Sequence, residues 1–108
     1  MHNVEQKRPA KNLPKTVDEA VKRLISDLPL KDKTAIANLA ENDLATLQFS
    51  LGTYIGKEFG IWSGNRELLD SCSVISRDAH LHPDFAPTVI IVELWNRLQE
   101  THRLRVVK

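Results

Sequence analysis

The residues best suited to chemistry lie in one short stretch, HLHPD at residues 80–84, with Asp78 two residues before it. Imidazole and carboxylate groups are the side chains that bind zinc and other transition metals. His80, His82 and Asp84 are therefore candidate metal ligands, and an enzymatic site around the two histidines is the related hypothesis. The stretch also precedes a predicted helix, where Asp84 is placed to cap the first turn. We favour the capping interpretation and predict no metal or other cofactor.

The other reactive side chains form no recognisable catalytic pattern. Cys72 would need a cationic neighbour or a helix start to become a thiolate nucleophile, and it falls near the end of a predicted helix. Glu58, Glu67, Asp70 and Glu93 are not spaced to place two carboxylates together on one helix face. The sequence contains no phosphate-binding loop, serine elbow or dinucleotide-binding motif. We therefore predict that the protein is not an enzyme.

Length and composition indicate one small soluble domain. The chain has 108 residues, of which 42% are hydrophobic and 27% are charged, and this suits a single modest core. No run of about 18 apolar residues is present that could span a membrane. The first residues lack the apolar middle of a signal peptide. The single cysteine cannot form an internal disulfide, so we expect a cytoplasmic location.

The charges are distributed unevenly along the chain. Residues 1–15 carry four basic and one acidic side chain, residues 101–108 carry three basic and no acidic ones, and residues 16–100 carry eight basic and thirteen acidic ones. We expect a mobile basic N-terminal segment over 1–13, a helical domain over 14–102 and a basic C-terminal tail over 103–108. Weak binding of nucleic acid or another acidic partner through the two ends is the alternative function, although the acidic body disfavours nucleic acid.

A long central helix is predicted over residues 42–59. Asn42 and Asp43 can cap its start, Gly60 can end it in the left-handed conformation, and Asn65 can cap the next helix. Its apolar residues recur at the spacing of one helical face: Leu44, Leu47, Leu51, Tyr54, Ile55 and Phe59.

Glycines at every fourth position leave a bare stripe on that helix, at Gly52, Gly56 and Gly60. Each interior glycine costs about 1 kcal/mol relative to alanine, so the stripe needs an explanation. Close crossing of another helix is the first explanation, and a groove for a partner helix or a small ligand is the alternative. Gly52, Gly56, Ile61 and Trp62 are therefore the candidate partner-binding residues.

Shorter helices are predicted on both sides of the central one. The predicted ranges are 16–28, 31–39, 65–72 and 84–101, and residues 73–83 form a loop. Val74, Ile75 and Leu81 are expected to anchor this loop to the core. The last helix is apolar on more than one face, so it should be buried, with Trp95 near Trp62 or the glycines. The predicted fold is all-α: a compact single-domain bundle of four to five helices around a long central helix.

Three stretches together resemble a family of small uncharacterised bacterial all-helical domains. They are PKTVDEAV at residues 14–21, LQFSLGTYIGKEFGIWSGNRELL at 47–69 and HPDFAPTVIIVELWNRL at 82–98. The corresponding motifs are PKT-x-x-EAV, LGxYI…EFGxWxGN and HPD…VII-x-x-LW. The resemblance covers about residues 14–100 and implies a helical fold, but it implies no activity.

The sequence departs from that family pattern at polar positions. Gln48 stands where the pattern has histidine, Gly56 and Lys57 stand where it has arginine and asparagine, and Phe85 stands at its second aspartate. These departures argue against a polar site on the central helix. The function that remains is a protein-interaction module, with an unknown protein or a second copy of the chain as partner, since tryptophan and phenylalanine favour interfaces. The sequence identifies neither the partner nor the oligomeric state.

Overall fold

A computed structural model describes the backbone of residues 13–107 and the side chains of residues 13–101. Within this range the chain is helical and contains no β-strand, which confirms the predicted all-α single domain. None of the described helices is both long enough and apolar enough to cross a membrane. The five α-helices are α1 Val17–Asp27, α2 Leu30–Ala37, α3 Thr53–Glu58, α4 Arg66–Ser76 and α5 Ala86–Val107.

The last helix, α5, occupies the centre of the fold. It contacts α1, α2, α3 and α4, and also the irregular helical turns that precede α3. The prediction of a buried last helix is confirmed, but the central position belongs to α5 rather than to residues 42–59. The helix also continues to Val107, so its backbone includes most of the predicted tail. Its buried side chains are Ala86, Pro87, Ile90, Ile91, Leu94 and Leu98.

The start of α1 follows from its local sequence. The Thr16 hydroxyl accepts a hydrogen bond from the backbone N–H of Glu19 at 3.1 Å, as the predicted cap requires. The Glu19 carboxylate in turn accepts from the N–H of Lys15 at 2.9 Å, one residue earlier than in a standard capping box. The helix ends before Pro29, because a proline disfavours helical geometry in the residue that precedes it.

An ion pair joins α1 to α5 at the surface. Asp18 lies 3.2 Å from the Lys22 ammonium and 3.1 Å from the Arg97 guanidinium. Hydrogen bonds from Lys22 and Arg97 hold the pKa of Asp18 below its ordinary value. The Asp18 side chain is about half exposed, so water screens the pair strongly.

Residues 41–59 do not form the regular α-helix that the sequence predicts. The chain passes through a 3-10 helix at Glu41–Leu47 and a π-helical turn at Gln48–Gly52 before α3 begins. Two side-chain hydroxyls account for the irregular backbone hydrogen bonding of this segment. Thr46 donates to the carbonyl of Asp43 at 2.7 Å, and Ser50 donates to the carbonyl of Leu47 at 3.4 Å. Side-chain bonds to these carbonyls compete with the regular backbone bonds of an α-helix.

The irregular path changes which side chains face the core. Tyr54, predicted to point inward, is 43% exposed, and Phe49 on the π turn is 93% exposed. Ile55 and Phe59 are buried as predicted. The caps predicted from Asn42 and Asp43 are also wrong, because Ala40 precedes the helical segment and no side chain caps it.

The turn after α3 fixes three parts of the chain to one another. Gly60 ends the helix with a φ of +75°, as predicted. Asn65 caps α4 by accepting from the N–H of Leu68 at 3.4 Å. Its amide nitrogen also donates to the carbonyls of Pro14 at 2.9 Å and Phe59 at 2.8 Å. One side chain therefore ties the N-terminal segment, the end of α3 and the start of α4 together.

The end of α4 also differs from the prediction. The helix continues to Ser76, so the loop begins at Arg77, which takes the left-handed conformation with a φ of 60°. Val74 and Ile75 are 75% and 45% exposed and do not anchor the chain to the core. Leu81 is half-buried and packs against the core, as expected.

The two tryptophans lie apart and make different contacts. Trp95 donates from its indole nitrogen to the carbonyl of Leu39 at 2.9 Å, close to the end of α2. The prediction that Trp95 lies near Trp62 or the glycines is therefore wrong. The neighbouring Gln99 amide donates to the carbonyl of Ala37, so α5 satisfies carbonyls that the end of α2 leaves free.

Candidate functional site

The candidate partner-binding residues from the sequence lie mostly in the interior. Gly52, Gly56 and Ile61 are buried, so they present no surface to a partner. A Cβ atom at Gly56 would come within 2.5 Å of three ring atoms of Trp62. A Cβ atom at Gly52 would come within 3.1 Å of the Gln48 side-chain oxygen. At Gly60 the nearest side chains are those of Leu13 and Asn65. The side chains closest to the stripe therefore come from Gln48, from the following turn and from Leu13, and not from a crossing helix.

Trp62 is the member of that set with an exposed surface. Its indole lies across Gly56, and its ring nitrogen donates to the carbonyl of Pro83 at 3.2 Å. The side chain remains 43% exposed. Trp62 thus holds the turn at Pro83 against α3 and leaves only part of its ring to solvent.

The three candidate metal ligands form local turn contacts. The backbone N–H of His80 donates to Asp78 at 3.0 Å, and that of Asp84 donates to the Nδ1 atom of His82 at 3.0 Å. His82, not Asp84, therefore caps the turn that leads into α5. Among the described residues, no group of three or more histidine, cysteine, aspartate or glutamate side chains is arranged to hold a metal ion.

The sole cysteine has no nucleophilic character in this fold. Cys72 is buried, and its sulfur lies 3.6 Å from the carbonyl oxygen of Ala86. Burial raises the pKa of the thiol to about 12, because the apolar surroundings disfavour the thiolate. The thiol therefore stays protonated at neutral pH.

The basic ends, on which the alternative function depends, fall mostly outside the described side chains. Residues 1–12 lie outside the described part of the chain, as do the side chains of residues 102–108. The basic residues of the last turns of α5 belong to this group.

An apolar face is exposed where α4, the following loop and α5 meet. We call it the Phe85 face and define it by Ile75, Leu81, Phe85, Val89 and Val92, which line a groove of about 350 Å³. Phe85 is 61% exposed and Ile75 is 45% exposed. Large apolar side chains that cluster around a surface groove are typical of binding sites, whereas scattered ones are not.

The local sequence holds Phe85 outward. Pro83–Phe85 forms a 3-10 turn, and His82 accepts the N–H of Asp84 at its start. The His82 ring meets the Phe85 ring edge-on, with 6.2 Å between the ring centroids. Because Trp62 also holds the carbonyl of Pro83, the turn is fixed on both sides. Phe85 is thus presented by a restrained backbone.

A second groove lies on the other side of the Phe85 ring. It has a volume of about 410 Å³ and shares Phe85, Thr88 and Val92 with the first groove. Between the two, the Thr88 hydroxyl donates to the side-chain oxygen of Gln48 at 2.8 Å. This bond pairs the Thr88 hydroxyl with the Gln48 side-chain oxygen at the boundary between the two grooves. The residues that complete the second groove are Glu41, Asn42, Leu44, Ala45, Gln48 and Ile91.

The charged residues that line the grooves are all acidic. Glu93 lines the first groove and Glu41 lines the second. Glu93 also belongs to a polar groove of about 520 Å³ further along α5, together with Asn96 and Glu100. Among the side chains that the structure describes, no lysine or arginine lines these three grooves. The Phe85 face therefore continues into an acidic surface on the same helix.

Sequence reasoning missed this face. In the sequence Phe85 stands out only as a departure from a family pattern, and Ile75 is expected to anchor the loop to the core. A usable signal is the spacing of Phe85, Val89 and Val92, which matches one face of a helix and lies apart from the fully buried positions of α5. Periodicity finds such a stripe but does not tell whether a neighbouring helix covers it.

The fold and the face define a small all-α domain with an apolar surface beside acidic residues. A family model, Domain of unknown function (DUF6794), matches residues 13–98. The chain belongs to the DUF6794 family, and this confirms the resemblance to a family of domains without an assigned function. No curated protein and no solved structure matches the chain.

Proposed function

We propose that the protein is a small cytoplasmic interaction module without catalytic activity, and that it binds a protein partner through the Phe85 face. The observation that carries this proposal is the position of Phe85. Its ring is 61% exposed, adjoins two grooves and is carried by a turn fixed at Pro83. An aromatic side chain held in place before binding loses little conformational entropy on complex formation, which favours its use as an anchor.

Phe85 is a better anchor than Phe49, although Phe49 is the more exposed residue. Phe49 is 93% exposed and lines neither of the two grooves beside Phe85. A single exposed apolar side chain is common on protein surfaces, and a binding site also needs neighbours that exclude water. The two phenylalanines therefore form a matched pair for experiment.

The chemistry of Cys72 supports a non-catalytic role and a reducing compartment. The thiol is buried with a raised pKa, so it does not serve as a nucleophile. It is also the only cysteine of the chain, and proteins stabilised by disulfides usually carry an even number.

Affinity capture from extracts of the native organism tests the proposal. The wild-type protein, Phe85→Glu and Phe49→Glu are immobilised at equal density, after circular dichroism has shown equal helicity. Retained proteins are identified by quantitative mass spectrometry. A specific partner should be retained by wild type and by Phe49→Glu, and it should be lost with Phe85→Glu. Retention that is unchanged by Phe85→Glu contradicts the assignment of the face.

A further inference from the structure

We infer that the partner presents a cationic amphipathic helix, which lies along α5 with apolar side chains over the Phe85 face and lysine or arginine over Glu93 and Glu100. This inference rests on the proposed function and specifies its ligand. It combines two features of one helix: the apolar grooves beside Phe85 and the carboxylates that follow them.

Phe85, in the turn before α5, and the outward residues of α5 form one continuous stripe. Phe85, Val89, Glu93, Asn96 and Glu100 follow one another at steps of four, four, three and four, which place them on one side of a helix. The first part of the stripe is apolar and the second part is polar and acidic. At 1.5 Å per residue the stripe is roughly 22 Å long, the length of a helix of about four turns.

The shape of the apolar part suits a helix. Ile75 and Leu81 form one wall, and Val89 and Val92 of α5 form the other. A partner helix that packs into such a groove inserts side chains at positions i, i+3 or i+4, and i+7. Phe85 would then separate two of these anchors, since grooves lie on both sides of its ring.

Charge selects a cationic partner. Glu41, Glu93 and Glu100 are the charged residues of the grooves, and residues 16–100 carry thirteen acidic and eight basic side chains. An acidic helix would meet like charges, and these disfavour binding and slow the encounter. Nucleic acid would meet the same repulsion through its phosphates. A second copy that used the same surface would add the same carboxylates from its own grooves.

A synthetic peptide tests the inference directly. The probe is a 16-residue helix with leucines at i, i+3, i+4 and i+7 in one half and lysines on the same side of the other half. A second peptide has every lysine replaced by glutamate and keeps the leucines. Binding of both to the full chain is measured by isothermal titration calorimetry at low and at high salt.

Four proteins give the matched comparison: wild type, Phe85→Glu, Glu93→Lys and Asp27→Lys. The last two make the same change in net charge, but Asp27 lies at the end of α1 and lines none of the three grooves. The cationic peptide should bind wild type and Asp27→Lys about equally. Its affinity should fall at least about tenfold for Phe85→Glu, as for the loss of an anchor residue. It should fall about threefold to tenfold for Glu93→Lys at low salt and less at high salt.

Equal binding of the two peptides, or equal effects of Glu93→Lys and Asp27→Lys, would overturn the cationic helix. Light scattering that shows a dimer converted to monomers by Phe85→Glu would overturn it too, because a second copy would then occupy the face. None of these results touches the capture experiment, in which loss of a native protein with Phe85→Glu still supports an interaction module. If wild type binds neither peptide and also retains no protein that Phe85→Glu loses, both proposals are contradicted.

Discussion

Replacing Gly56 with alanine tests the contact between α3 and the indole of Trp62. The new Cβ atom would stand 2.5 Å from three ring atoms, so the indole must move. Complete displacement breaks the bond to the Pro83 carbonyl, worth about 1 kcal/mol. Trp62 is 43% exposed, so displacement also uncovers roughly 100 Å² of ring surface, worth about 2.5 kcal/mol. Alanine offsets about 1 kcal/mol of this loss, because it favours a helix more than glycine does. The net loss in the free energy of unfolding should be about 2.5 kcal/mol.

Gly52→Ala is the matched control. It makes the same chemical change on the same stripe, but the nearest atom is the side-chain oxygen of Gln48 at 3.1 Å, at the end of a flexible chain. The gain in helix propensity is offset by a small shift of Gln48 and of its bond with Thr88. The stability of Gly52→Ala should stay within about 1 kcal/mol of wild type.

Urea unfolding followed by far-ultraviolet circular dichroism measures both variants. Tryptophan emission reports the indole, and a Trp95→Phe background assigns the signal to Trp62. Gly56→Ala should lose stability and shift the emission to longer wavelength, whereas Gly52→Ala should do neither. If Gly56→Ala is as stable as Gly52→Ala and its emission is unchanged, Trp62 does not lie over Gly56 and the account of the stripe is wrong.

Three further predictions concern single residues. Cys72 should react with a thiol reagent at pH 8 only as fast as the chain unfolds, and stability should decline above about pH 9, because the unfolded thiol ionises there and the buried one does not. Lys22 and Arg97 lower the pKa of Asp18, so the ionised carboxylate stabilises the fold at neutral pH and loses this effect as pH falls below about 4. The unfolding free energies of Asp18→Asn and wild type should therefore become equal in acid titrations. Asn65→Ala should lower the unfolding free energy by about 2–3 kcal/mol in urea, since three hydrogen bonds are lost.

The features that the sequence predicts well are set by neighbours along the chain. Thr16 caps α1, Gly60 ends α3 and Asn65 caps α4, because each acts on backbone groups within a few residues. The second role of Asn65, toward Pro14, was not predictable, since 51 residues separate the two in the chain.

The features that the sequence predicts poorly depend on competition or on tertiary contacts. The spacing of apolar residues over 42–59 fits an α-helix, but it does not register the bonds that Thr46 and Ser50 make to backbone carbonyls. Likewise, the apolar character of Ile75 predicts contact with the core, although no neighbouring helix covers this position in the described chain. Sequence propensity predicts the secondary structure that a segment prefers, whereas tertiary packing determines which of its side chains remain exposed to solvent.

Site-specific photo-crosslinking in living cells tests the role of the Phe85 face most directly. A photoreactive benzoylphenylalanine is placed at position 89 within the Phe85 face. As the control, it is placed at position 31, an exposed position of α2. Irradiation should give a discrete adduct with one partner from position 89, none from position 31, and none from position 89 when Phe85→Glu is also present. The same adduct from both positions, or one from position 89 that persists with Phe85→Glu, would contradict the assignment.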